Sequence, residues 1–150
     1  MDPRRTLVVA NETIGGEALH EAVRRSASDP GSEVLVIAPA LNSRIRHWTS
    51  DEDDARARAE LRLDQCMARL RDAGVPALGY IADADPMQAI ADALPLFAAD
   101  EILIATHEEG RSNWLERDLV GRACQAFGLP VLHVVVQESR EPATLVLNAA

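Results

Sequence analysis

Apolar residues along the chain fall into two kinds of run that alternate. Short, nearly unbroken runs rich in Val, Ile and Leu occupy 6–11 (TLVVAN), 33–39 (EVLVIAP), 76–82 (PALGYIA), 101–106 (EILIAT) and 131–136 (VLHVVV). Runs this short and this apolar predict strands buried on both faces. The segments between them carry apolar residues at helical spacing instead. A helix after Gly15-Gly16 runs to about Ala27 with Leu19, Ala22 and Val23 inward and His20 toward solvent, ahead of the Asp29-Pro30-Gly31 turn. A second begins at Thr49 or Ser50, where a capping hydroxyl precedes DEDD, and runs to about Ala73; Ala59, Leu63, Met67 and Leu70 form its stripe and Gly74 ends it. A third is capped by Asp85 with Pro86 at its first position and Gln88 at capping-box spacing, and Pro95 splits its last turn. The fourth spans about 113–127, with Asn113 and Glu116 as its capping pair, and Gly128 and Pro130 stop it.

Buried strands alternating with amphipathic helices predict an α/β protein: a three-layer α/β/α, Rossmann-like domain around a five-stranded parallel sheet. Residues 1–137 form one domain. The tail, 138–150, ends in ATLVLNAA and is read as an added strand or a dimer contact. Ligands of such sheets bind at the carboxyl ends of the strands, where the strand order reverses. The candidate loops are therefore Asn11-Glu12-Thr13, 41–50, 83–85 and 106–113. The 41–50 loop, LNSRIRHWTS, is long for a strand-to-helix connection and basic in an acidic chain. Trp48 with Arg44 and Arg46 either closes over a ring and its phosphates or packs the loop onto the domain.

Composition narrows the functional classes. Of 150 residues, 24 are acidic and 15 basic, a formal net charge of -9, which argues against nucleic acid or an anionic membrane as the main partner. Every basic residue is an arginine. Walker-type phosphate loops, Schiff-base enzymes and phosphorelay receivers all use a lysine and fall away. Cys66 and Cys124 lack metal or CxxC spacing and are read as buried free thiols. His133 is expected in the core or at an interface, and no His/Cys/Asp spacing supports a metal. No run reaches transmembrane length and the start lacks a signal-type apolar stretch, so a cytoplasmic protein is expected.

Three segments resemble the universal stress protein family: the loop after the first strand, the stretch ADADPMQAIADALPLFAADEILIAT, and the ending GLPVLHVVV. The resemblance covers roughly 6–136. It implies the strand order 3-2-1-4-5, a homodimer formed through the last strand, and a ligand-sensing or regulatory module of the stress response, with an adenine nucleotide as candidate ligand. The family's ATP-binding members carry a glycine, two residues, a glycine, nine residues and then Gly-Ser or Gly-Thr after the fourth strand. Those glycines let backbone amides approach phosphates, and the hydroxyl and a helix start supply further donors. In this chain Gly110 and Gly121 match the second and third glycines with one extra residue between them. His107 replaces the first glycine and Arg122 the hydroxyl, and Asn11 or Glu12 replaces an aspartate that often follows the first strand.

The candidate ligand residues are therefore Asn11, Glu12, Thr13, Arg44, Trp48, Thr106, His107, Gly110, Arg111, Ser112, Asn113, Gly121 and Arg122. Ser112 and Asn113 with Arg111 either seat a phosphate or simply cap a helix, and Glu108 and Glu109 beside them oppose a triphosphate. Weak or absent ATP binding is the expectation. The competing reading is an enzyme acting on a nucleotide or phosphorylated small molecule, with His107 as acid or base against Glu12, Asp83 or Asp85.

Overall fold

The computed structural model describes residues 4–10, 17–41, 50–83, 85–107 and 118–136, with the backbone alone for 40, 41, 50–55, 83 and 107. Strands β1 (Arg5–Val9), β2 (Glu33–Leu41), β3 (Ala77–Asp83), β4 (Glu101–His107) and β5 (Val131–Val136) alternate with helices α1 (Glu17–Ser26), α2 (Ser50–Asp72), α3 (Pro86–Ala93) and α4 (Leu119–Phe127). All strand pairs are parallel and the order across the sheet is β3-β2-β1-β4-β5. The three-layer fold and the reversal of strand order between β1 and β4 are thus as expected.

The apolar runs divide their side chains between two cores. Val8, Val34, Val36 and Leu103 point to one face and pack with Leu19 and Val23 of α1 and Leu63, Met67 and Leu70 of α2. Leu7, Val9, Ile37, Ile102 and Ile104 point to the other and pack with Ala89, Ile90 and Ala93 of α3 and Leu119 and Ala123 of α4. Continuous apolar runs follow from this arrangement, because both faces of each central strand are covered. Gly79 of β3 marks a close approach of α2 to the sheet. A Cβ there would stand 2.9 Å from Leu63 Cδ1 and 2.9 Å from the Val36 carbonyl oxygen.

Several local readings need correction. His20 is 3% exposed rather than solvent-facing, since it joins Leu19 and Val23 on the buried stripe of α1. Cys124 is exposed on α4, whereas Cys66 is buried as expected. Asp85 caps α3 by accepting from the Met87 amide at 3.0 Å, but Gln88 does not reach back to complete the box; its Nε2 donates to Asp92 Oδ1 at 2.8 Å. Pro95 lies beyond the helix, which ends at Ala93 and continues as a turn. On β5, Val134 and Val136 are the strand residues expected at a dimer contact, but Val136 is buried in the chain's own core and Val134 packs against it; the large hydrophobic side chains exposed on that strand are Leu132 at 42% and Val135 at 47%.

The amino end of the sheet is closed by charge pairing that the sequence pattern does not announce. Thr6 Oγ1 donates to Glu101 Oε2 at 2.9 Å, and Arg4 Nη1 lies 3.3 Å from Glu101 Oε1. The Arg5 amide donates to Asp100 Oδ2 at 2.9 Å, and the Arg5 guanidinium stacks on Phe97 with 5.2 Å to the ring centroid. These arginines are structural and stand at the end opposite the candidate ligand loops.

Candidate functional site at the strand reversal

β1 and β4 run side by side, with Val9 opposite Ile104, and the strand order reverses between them, the place where this topology is expected to take a ligand. Thr106 stands at that end of β4 and is buried at 1%. Its hydroxyl lies 2.8 Å from His133 Nε2 on the neighbouring strand. His133 is exposed rather than buried in the core: β5 is the edge strand, and a side chain there has a covered neighbour on one side only. The imidazole thus ties the edge strand to β4 immediately below the candidate loop. His107 ends β4 in register with Val136, and its side chain lies outside the described residues.

The start of α4 departs most from expectation. The helix that carries Gly121 begins at Leu119 with Asp118 as its N-cap, and the expected start at 113 lies outside the described residues. Asp118 has φ 50 and ψ 48, a left-handed conformation through which an α-helix cannot run. Its Oδ1 accepts from the Gly121 amide at 3.3 Å, and its carbonyl oxygen accepts from the Arg122 amide at 3.0 Å. A Cβ on Gly121 would stand 2.6 Å from Asp118 Oδ2 and 2.9 Å from Oδ1. Gly121, expected to face a ligand phosphate, therefore backs onto a carboxylate of its own chain. Arg122 is exposed one residue further on.

Of the expected ligand residues, Thr106 stands near the carboxyl end of β4, and Gly121 and Arg122 lie in the first turn of α4. Asn11, Glu12, Thr13, Arg44, Trp48, Gly110, Arg111, Ser112 and Asn113 lie outside the described residues. Asp118 and His133 are not among the expected site residues. An Asp immediately before a helical apolar pair is a legible cap signal, but Asn113 offers the same signal five residues earlier. Among the described residues, no group of three or more His, Cys, Asp or Glu could hold a metal ion, and no helix is long and apolar enough to cross a membrane.

No protein-family model matches the sequence, and no curated protein sequence matches it. Solved structures do match. A protein of the universal stress protein family from Burkholderia pseudomallei superposes with a TM-score of 0.64 at 15% identity, over 87% of this chain and 95% of that one. A universal stress protein family protein from Arabidopsis thaliana, solved with AMP bound, superposes with a TM-score of 0.60 at 14% identity, over 93% of this chain and 95% of that one. The chain has the universal stress protein fold, in a sequence far diverged from these two structures.

Proposed function

We propose that the protein is a universal-stress-like module that binds a small ligand or serves a regulatory role, with weak or absent ATP binding. The observation that carries this reading is the α4 start. Gly121, the last glycine of the motif, has its amide engaged by Asp118, in a fold whose strand order reverses between β1 and β4, where ligands of such sheets bind. The AMP-bound state of the similar Arabidopsis protein supports an adenine nucleotide as the ligand class to test first. The free thiols of Cys66 and Cys124 suit a reducing compartment, and we place the module in the cytoplasm, in the stress response that the family name denotes. We further propose a homodimer in which the exposed Leu132 and Val135 of β5 are covered, with the 145–147 stretch of the tail as a second contact.

The direct test is to denature the purified protein and chromatograph what it releases. No adenine nucleotide above trace is expected. A stoichiometric nucleotide would reverse the reading of a degraded site. The enzymatic alternative is tested by a turnover screen on nucleotides and sugar phosphates with His107→Ala as control. Turnover that this variant abolishes would replace the regulatory reading.

A further inference from the structure

We propose that the chain beyond β5 folds back on itself, with 143–148 (ATLVLN) lying antiparallel along the outer edge of β5 as a sixth strand and seating Leu145 and Leu147 in the groove between β5 and α1. The groove, of about 610 Å³, is lined by Leu132 and Val134 on the strand and by Ala18 and Ala22 on the helix, whose small side chains leave room for leucine. Leu132 is 42% exposed there, although Val136 on the same face of the strand is buried. Among the described residues nothing pairs with the outer edge of β5, and an apolar edge left in that state is normally covered. The chain runs on from Val136 to Ala150, and ATLVL, 143–147, is the apolar run within that stretch. An antiparallel edge strand on an otherwise parallel sheet is a common arrangement. The proposal stands apart from the dimer proposed above, whose contact surface the added strand would enlarge.

The backbone of β5 fixes how such a strand must lie. Ile102 of β4 faces Val131, and its amide donates to the Pro130 carbonyl oxygen at 2.9 Å. The β4–β5 ladder therefore uses the backbone groups of Leu132, Val134 and Val136 and leaves those of Val131, His133 and Val135 turned outward. Against an antiparallel neighbour, the outward three form the hydrogen-bonded pairs. Leu132 and Val134 form the non-hydrogen-bonded pairs, whose side chains lie closest. A connection of 137–142, QESREP, is polar and closed by proline. It sets Val135 opposite Thr144, Val134 opposite Leu145, His133 opposite Val146 and Leu132 opposite Leu147. Both leucines then share the face of Leu132 and Val134, which is the face that lines the groove. A connection shortened to 137–140 would bring Pro142 opposite Val135, where the outward carbonyl needs an amide that proline lacks. A slip of one residue would turn Thr144 and Val146 to the groove and both leucines away from it.

The test keeps the chain whole. Cys124→Ala removes the exposed thiol and leaves the buried Cys66. In that background Leu132→Cys is combined either with Leu147→Cys or with Val146→Cys, and thermal unfolding establishes that each variant is folded. Cα atoms of a non-hydrogen-bonded pair stand about 4.5 Å apart, within the span of a disulfide. Under mild oxidation the first pair should close within one chain at least about tenfold faster than the second, because the seated strand holds one cysteine toward Leu132 and the other away. Equal rates would overturn the inference, since a tail that does not rest on β5 presents both cysteines alike. A disulfide between two chains would also overturn it, and would assign the groove to the tail of a second copy. Amide exchange in the unsubstituted protein needs no variant. The amides of His133, Val135, Thr144 and Val146 should exchange about tenfold or more slowly than in the unfolded chain. Exchange of Thr144 and Val146 at the unfolded-chain rate would overturn the inference.

Discussion

Glu101 is 4% exposed, and its two carboxylate oxygens are met by the Thr6 hydroxyl and the Arg4 guanidinium. Such a group is stable only while it is answered. Removing one donor leaves a buried charge short of a partner, at about 1–3 kcal/mol. Thr6→Val, which keeps shape and deletes the hydroxyl, should therefore cost about 1–3 kcal/mol in urea unfolding. An unchanged midpoint would mean that Arg4 alone satisfies the carboxylate. The glycines divide in a similar way. At Gly79 an added methyl meets the Val36 carbonyl, which belongs to the sheet and cannot yield cheaply, so Gly79→Ala should destabilise by about 1–3 kcal/mol through overpacking. At Gly121 the obstacle is the movable end of Asp118. There a lost cap of about 1 kcal/mol is offset by about 1 kcal/mol of helix propensity, and Gly121→Ala should lie near neutral in the same assay. The thiols should also be unequal. Burial pushes Cys66 up to about 11 against the ordinary 9.0, with Arg69 opposing weakly, whereas Cys124 is exposed. A thiol reagent at pH 8 should label Cys124 alone in the folded protein and both in denaturant; rapid labelling of Cys66 in the folded protein would contradict its placement. Because the folded value for Cys66 is raised, its contribution to stability is whole below about 9.0 and declines as pH rises toward about 11.

At the scale of elements, α1 and α2 are joined by Arg69 Nη2 at 2.7 Å from Glu17 Oε1. The hydrogen bond and charge of Arg69 hold the Glu17 carboxyl below its ordinary 4.5. With the folded-state value lowered, the unfolded chain takes up the proton first as pH falls. The pair's contribution is therefore whole above about 4.5 and is lost as pH drops through the folded value. Both partners are well exposed, so the effect is small and salt-sensitive. The difference in melting temperature between wild type and Arg69→Gln should vanish in acid below that range; a difference that persists there would point to packing of the arginine stem instead. The strands are legible in the sequence because a short, unbroken apolar run has to be covered on both faces, and the interior of a parallel sheet does this. Legibility ends where burial depends on neighbours that no local window contains. His133 is flanked by valines and leucine and reads as core, yet β5 lies at the edge and the imidazole is exposed. His20 reads as polar surface, yet its place between Leu19 and Val23 puts it under the sheet. The α4 start is ambiguous in the sequence because Asn113 and Asp118 are both good caps; the structure shows Asp118 capping the helix that begins at Leu119, and 113 lies outside the described residues.

For the molecule as a whole, β5, the outermost strand on its side of the sheet among the described residues, bears on assembly. Leu132 and Val135 lie exposed on opposite faces of that strand, and a groove of about 610 Å³ lies between it and α1, lined in part by Ala18, Ala22, Leu132 and Val134. Edge strands of this kind are normally covered. Light scattering at micromolar concentration should give a dimer, and Leu132→Glu with Val135→Glu should shift it to monomer without unfolding it. A folded wild-type monomer would contradict the assembly. The strand order and the reversal between β1 and β4 follow from resemblance and pattern together; the ligand loops do not, since most of the residues expected there lie outside the described ones. Under the proposed function, this fold keeps the place of a nucleotide seat without the donors. Each hydrogen bond to a charged group contributes about 1.5–3 kcal/mol, so loss of the first glycine and the terminal hydroxyl lowers affinity roughly a hundredfold or more. Isothermal calorimetry of the purified protein with ATP tests this most directly. A dissociation constant of about 100 μM or weaker, or no heat of binding, is the expected result; a low-micromolar constant would show that the seat has been rebuilt rather than lost.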